Sequence, residues 1–175
     1  MQHTAIKVGA SSDLYSEVID WLHTEAELLD GDREREWLEG MVSEDVVYQV
    51  PLRQTVERAR GTGFADRAYH LDERYGSLAS RVARNETSFA WAEDPPSRIR
   101  HFVSNVRVRQ LDDGCLDVRS NLLVYRTRQD QTQPQLLSAE RQDVLRREDG
   151  ALMLRARLVL LDLTVIATHN LSIFF

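Results

Sequence analysis

An α+β fold, with helices packed on a curved antiparallel sheet, follows from three features of the sequence. Apolar residues recur at helical spacing near the N-terminus, the chain alternates apolar and polar residues from Ile99 onward, and Asp113-Gly114 and Asp149-Gly150 punctuate that second half as hairpin turns. Helices first and strands afterwards is the α+β order, because each layer buries its apolar face against the other.

Residues 1–12 are polar and predict an extended N-terminal arm ahead of a single domain spanning 1–175. Ser11-Ser12-Asp13 supplies side-chain oxygens that accept hydrogen bonds from the free N–H groups of a helix start. Leu14, Val18, Trp21, Leu22, Glu25, Leu28 and Leu29 then trace one stripe of a first helix, which Asp30-Gly31-Asp32 breaks. A second helix from Arg33 to about Met41 presents Trp37, Leu38 and Met41. Ser43-Glu44-Asp45 leads into a strand over 46–50 closed by Pro51. Residues 52–68, rich in arginine and containing Gly61 and Gly63, show no sustained period and predict a long loop. Leu71, Tyr75, Leu78, Ala79 and Val82 mark a helix over Asp72 to Arg84, followed by a turn at Glu93-Asp94-Pro95-Pro96.

Everything after Ile99 predicts strand: Leu116 to Arg128, Gln135 to Arg147 beyond the polar loop 129–134, and Ala151 onward. Leu152 to Leu163 is the most apolar run and is expected to be buried on both faces, while Thr164 to Phe175 continues it or bends into a further strand. In the strand beginning at Ile99, alternation sends Ile99, His101, Val103 and Asn105 one way and Arg98, Arg100, Phe102, Ser104, Val106 and Val108 the other. Neither face is purely apolar, so these polar groups need a polar cavity, an internal hydrogen-bond network or another protein.

The 175 residues, 42% of them hydrophobic, suffice for one sizeable core. A formal charge of −6 argues against nucleic acid, which requires a basic face. Lys7 is the only lysine, so almost every cation is an arginine, the side chain suited to planar ion pairs at interfaces. Cys115 stands alone, which excludes an intrachain disulfide and gives no support to structural zinc or a cysteine-ligated cluster. No stretch has the length of a membrane span and Met1 to Asp13 lacks a signal-peptide core, so a cytoplasmic protein without membrane contact is expected.

Helix, helix, strand, helix and then long strands is an order that resembles the cone-shaped barrel of the nuclear-transport-factor-like, or SnoaL-like, superfamily. Five segments in order narrow the likeness. These are Glu25 with Leu28-Leu29-Asp30 and Trp37-Leu38, running to Asp45, Tyr48 and Pro51; Glu93-Asp94-Pro95-Pro96-Ser97-Arg98 to Val103-Ser104-Asn105-Val106; Ser120-Asn121 with Tyr125-Arg126; Glu140-Arg141-Gln142-Asp143; and Thr168-His169-Asn170-Leu171 before Phe174-Phe175. Together they resemble the small, or β, subunit of Rieske-type aromatic-ring-hydroxylating dioxygenases of the naphthalene and biphenyl dioxygenase kind. The resemblance implies a non-catalytic β subunit, without a cofactor or metal of its own. It would be a β trimer assembled with α subunits as an α3β3 hetero-hexamer. The α subunit would hold the Rieske iron–sulfur cluster and mononuclear iron and carry out NAD(P)H-dependent cis-dihydroxylation of an arene.

Arg98, Arg100, Arg119, Arg126 and Arg141 are expected to pair with Glu93, Asp117, Glu140 and Asp143 across strands or across subunits, and with His101, His169, Asn170, Phe174 and Phe175 they form the candidate subunit-interface set. For the apolar end of the chain, burial in the domain core is the first expectation and burial against a neighbour the second. The acidic run on the first two helices reads as a solvated face, with contact to a basic partner patch the alternative. Two chemical readings compete. His70, His101, His169 and Asp162 as a two-His-one-carboxylate iron site lack ligand spacing. A cofactor-free lyase or isomerase of the same cone fold would instead use Asp45, Tyr48, His101 and Tyr125 for acid–base work.

Overall fold

A computed structural model describes residues 5–57, 61, 63–86, 97–166 and 173–175. The Pro95-Pro96 turn, Glu93, His169 and Asn170 lie outside the described residues. In chain order the elements are β1 (Ile6–Lys7), α1 (Asp13–Asp30), α2 (Glu34–Met41), β2 (Val42–Arg53), β3 (Phe64–Glu73), α3 (Tyr75–Asn85), β4 (Arg98–Gln110), β5 (Leu116–Thr127), β6 (Gln135–Glu148) and β7 (Ala151–Leu161). The seven strands form one sheet in the order β1-β4-β5-β6-β7-β2-β3.

Both ends of α1 follow from local chemistry. Ser12 Oγ accepts the Tyr15 N–H at 3.2 Å, and at the other end Arg33 N–H reaches back to Leu28 O at 2.9 Å. The reversal there is made by Asp32 in the left-handed region, φ 55°, one residue beyond the glycine. α1 packs on β4, α2 on β7 and α3 on β2, and Trp21 Nε1 donates to Leu152 O at 2.9 Å, fastening α1 to the start of β7. Between helices and sheet lies one core that includes Leu22, Trp37, Leu38, Leu122, Leu145 and Leu154.

Four expectations need correction. The last part of the expected loop, 64–68, and Leu71 to Glu73 of the expected helix belong to one strand: β3 pairs with β2 from Tyr48↔Glu73 to Arg53↔Phe64. As an edge strand it carries Asp66, Arg67, His70 and Asp72, and charged edge strands resist further pairing while hiding the alternation that reveals a strand. Consequently the third helix begins at Tyr75 rather than Asp72. Second, Pro51 does not close β2; the strand runs through it, and the ladder is irregular on either side of the residue that lacks an N–H. Third, the sheet is not wholly antiparallel, since β2 and β7 run parallel, a pairing their long separation in sequence permits. Fourth, β7 is fully buried on one face only, with Met153, Leu158 and Leu160 half-exposed on the other.

The turns behave as their residues dictate. Asp149 (φ 47°) and Gly150 (φ 89°) make the two-residue link between β6 and β7, whereas Asp113-Gly114 sits in a longer loop between Gln110 and Leu116. The phase of β4 changes midway. Ser104 pairs with Asn121 but Arg107 pairs with Arg119, so β4 holds one extra residue there, and Asn105 sits at φ 54°. Ile99, His101 and Val103 point inward before this bulge, Val106 and Val108 after it, while Asn105 itself is exposed. Among the described residues no helix is long and apolar enough to cross a membrane.

Because asparagine tolerates the left-handed region and β-branched residues do not, Asn105→Val is expected to lower stability by about 1–2 kcal/mol while Asn105→Gly stays near wild type. Urea unfolding midpoints check this, and equal midpoints for the two variants would show that the bulge does not constrain the strand.

Candidate functional site

The inward rows of β2, β6 and β7 put charge where a core strand normally carries leucine. Asp143 and Arg157 are direct cross-strand partners, as are Arg157 and Tyr48, so carboxylate, guanidinium and phenol line up across three strands. α1 lowers Glu25 onto this row and α2 adds the indole of Trp37. Arg157 Nε and Nη2 lie 2.8 and 2.9 Å from the Asp143 carboxylate, Nη2 lies 2.8 Å from Glu25 Oε2, and Nη1 donates to the main-chain oxygen of Phe175 at 2.6 Å. Arg141 Nη1 sits 3.0 Å from Glu25 Oε2, and Trp37 Nε1 donates to Glu25 Oε1 at 3.0 Å. Glu25, Arg141, Asp143 and Arg157 are each no more than 1% exposed.

Two arginines against two carboxylates make a neutral enclosed set, the condition under which buried charges survive loss of water. Burial alone would raise the Glu25 carboxyl, but the Arg157 and Arg141 guanidiniums outweigh it and hold the group below its ordinary value. Burial likewise works against the Arg157 cation, which Asp143 and Glu25 more than offset. The Tyr48 phenol is pushed up by burial; its Oη accepts the Phe175 N–H at 2.8 Å. Arg141 Nε faces Asp143 at 3.0 Å as an ion pair without a hydrogen bond, and Arg141 Nη2 and Ser120 Oγ, on paired residues of β6 and β5, are also buried without hydrogen-bond partners.

A second anchor sits beside the first. His101 Nδ1 lies 2.6 Å from Asp30 Oδ1 and Nε2 lies 3.0 Å from the Phe174 main-chain oxygen, while the His101 N–H also reaches the Asp30 carboxylate. The Phe174 ring stacks against Trp37 with centroids 4.9 Å apart. The helix end at Asp30, strand β4 and residues 173–175 are thereby tied together.

This geometry sorts the sequence-based candidates. Arg126, 3% exposed and bonded to Ser97 Oγ, together with Arg141 and the His101 side chain, is enclosed by the chain itself rather than presented on its surface, and Phe174 and Phe175 take the burial in the domain core that was their first expectation. Arg98, Arg100 and Arg119 lie on the outer face of β4 and β5, with Arg119 facing Asp117 and Glu140. Of the pairings expected across strands, Arg119–Glu140 joins β5 to β6, whereas Arg119–Asp117 and Arg141–Asp143 form within a single strand. The acid–base set does not converge: Asp45 is exposed and held by Arg146, Tyr125 faces outward, and Tyr48 and His101 are committed to the chain end. Of the iron-ligand set, both His101 ring nitrogens are engaged and Asp162 accepts from Ser138 at 2.8 Å, while His169 lies outside the described residues. Among the described residues no group of three or more His, Cys, Asp or Glu is placed to hold a metal.

Sequence reasoning placed Glu25 in a helical stripe and Asp143 beside Arg141 but did not recognise one buried cluster joined by Arg157. The available signal was alternation: Leu137, Ala139, Arg141, Asp143 and Leu145 share a phase, which puts both charges on the buried side.

Removing one partner strands the others, so Glu25→Ala should cost about 3–5 kcal/mol. Because the folded-state value of Glu25 is depressed, its contribution is present above the ordinary glutamate value of 4.5 and lost as pH falls through the lower folded value. Unfolding midpoints should therefore hold between neutrality and about pH 5 and drop below that, with a shallower acid slope in Glu25→Gln. Ser120→Ala, which removes an unpartnered buried hydroxyl, should match or exceed wild-type stability, within about 1 kcal/mol; a larger loss would show that the hydroxyl is bonded.

Residues 24–168 match the ring hydroxylating beta subunit family. The fold superposes on a naphthalene 1,2-dioxygenase solved with indole bound in the active site, with TM-score 0.80 and 30% sequence identity over 91% of this chain and 84% of that one. The beta subunit of the benzoate 1,2-dioxygenase from Burkholderia mallei aligns at TM-score 0.64 and 20% identity, covering 84% and 89% of the two chains. ActVI-ORFA from Streptomyces coelicolor, at TM-score 0.59 and 22% identity over 86% and 98%, shares the fold alone. In the β subunit family the cofactors reside in a partner α subunit, and an α partner is accordingly implied for this chain. The chain belongs to the ring-hydroxylating dioxygenase β subunit family, as a non-catalytic structural component of a terminal oxygenase.

Proposed function

We propose that this chain is the structural platform of a cytoplasmic α3β3 terminal oxygenase, in which a β trimer fixes the spacing of α subunits that dihydroxylate an aromatic ring with electrons from NAD(P)H. The observation that carries the reading is the use of the cone interior. Among the described residues, Glu25, Asp143, Arg157, Tyr48 and His101 inside the cone are engaged with one another, with Asp30 and with residues 173–175, which favours the exterior as the chain's working surface. Arg98, Arg100 and Arg119, exposed on the outer sheet face, remain the interface candidates, and assembly is where arginine's planar fork is useful. The lyase alternative lacks a site in which Asp45, Tyr48, His101 and Tyr125 meet.

Co-expression with a ring-hydroxylating α subunit from the same genome tests this. The expected result is a complex of equal α and β content that consumes dioxygen with an aromatic substrate and an electron-transfer partner, while the chain alone is iron-free and inert. Turnover of a small organic substrate by the isolated chain, or failure of every α subunit to co-purify, would overturn it.

A further inference from the structure

Residues 173–175 occupy the cone interior in the manner of a bound ligand. They belong to no helix or strand, yet Ile173, Phe174 and Phe175 are at most 3% exposed, whereas Asp162 to Val165, just after β7, are exposed. A buried main chain outside any helix or ladder needs other partners. Side chains from three strands supply them. Tyr48 Oη accepts the Phe175 N–H at 2.8 Å and donates to Phe175 O at 3.2 Å, Arg157 Nη1 donates to the same oxygen at 2.6 Å, and His101 Nε2 lies 3.0 Å from Phe174 O.

An aromatic ring is received as closely as the main chain. Trp37 stacks on Phe174 at 4.9 Å between centroids, and the Arg81 guanidinium sits over the same Phe174 ring at 5.8 Å. Trp37 comes from α2, Arg81 from α3, Tyr48 from β2, His101 from β4 and Arg157 from β7, so separate elements converge on one short segment. An apolar core joins side chain to side chain, but here buried polar groups meet two carbonyl oxygens and an N–H beside an aromatic surface. A mostly apolar lining with a few polar groups held in place is the construction of a small-molecule site. These polar contacts all go to main-chain atoms. The features recognised are therefore a ring and a neighbouring carbonyl, which other molecules also carry.

We propose that the cone interior, at Trp37, Tyr48, Arg81, His101 and Arg157, is a binding site for molecules that join an aromatic ring to a carbonyl or carboxylate oxygen, and that residues 173–175 are its resident occupant. The site is filled in cis. A segment of the same chain competes at an effective concentration on the order of millimolar, so a free ligand enters only where the segment's own hold is weakened. The occupied site stabilises the fold as a bound ligand would. This assignment is independent of the α3β3 reading, since it concerns the inside of the chain and not its assembly.

Titration calorimetry and thermal unfolding of the full chain test it, with Phe174→Ala and Phe175→Ala combined to remove both rings while keeping the main chain. The probes are N-acetyl-phenylalanyl-phenylalanine amide for the carbonyl form and 3-phenylpropionate for the carboxylate form. The variant should bind at least one of them about tenfold or more tighter than wild type does, with a thermal midpoint that rises with probe concentration. N-acetyl-alanyl-alanine amide should do neither. Binding of the amide alone assigns a carbonyl ligand and binding of the acid alone a carboxylate one; both outcomes support the site. Should the double variant lack native circular dichroism, Phe174→Leu, which loses the ring and keeps apolar volume, carries the same test. Affinity no greater in the variants than in wild type would overturn the proposal. Equal uptake of the alanine peptide would do so too, as would probe binding that leaves the Trp37 indole N–H resonance unmoved.

Discussion

Glu25, Arg141, Asp143 and Arg157 are enclosed together, and the relative placement of helices and sheet depends on that. α1 contributes one carboxylate, β6 the other with one guanidinium, and β7 the second guanidinium, while Trp37 of α2, Tyr48 of β2 and the main chain of Phe175 complete the circuit. Removing such charges from water costs several kcal/mol per ion, so the set gains little over a hydrocarbon core of equal volume. What it supplies is selectivity. An apolar core tolerates small slips of a helix over a sheet, whereas a misplaced charge in this interior loses its partner, and every misaligned packing is penalised.

The same cluster bears on function. A cone of this type offers a ready cavity, and one fold hosts many activities because side chains in the cavity can be exchanged. Here the interior phenol, imidazole and carboxylates hold the protein's own main chain and one another, at distances of ordinary structural hydrogen bonds. An interior of that kind supports a rigid body whose surfaces are the useful part. Rigidity suits the proposed platform role, in which flexing of this subunit would alter the spacing of the α subunits around it.

The legible parts of the sequence were those in which chemistry is local. Ser12 caps α1, Asp149-Gly150 adopts the two positive φ values of a tight hairpin, and the apolar stripe from Leu14 to Leu29 packs inward. What escaped depended on distant partners. β3 reads as loop because its aspartates and arginines face solvent on an edge, and only pairing with β2 makes it a strand. The reversal of phase in β4 hangs on Asn105, which strict alternation placed with His101 and Val103. Arg141 reads as an interface residue because arginine is seldom buried; its two carboxylate partners lie on β6 and on a helix more than a hundred residues away. The exposed Phe102, Leu123 and Leu136 give the converse difficulty, since apolar residues in a strand normally signal core.

A double-mutant cycle between Glu25 and Arg157, using Glu25→Gln and Arg157→Met and reading unfolding free energy, tests most directly whether this buried set acts as one unit. Coupling of about 2–3 kcal/mol, with the double variant much less destabilised than the sum of the singles, is the result the account predicts. Additivity within about 0.5 kcal/mol would contradict it, showing that helices and sheet find their places without the ionic circuit.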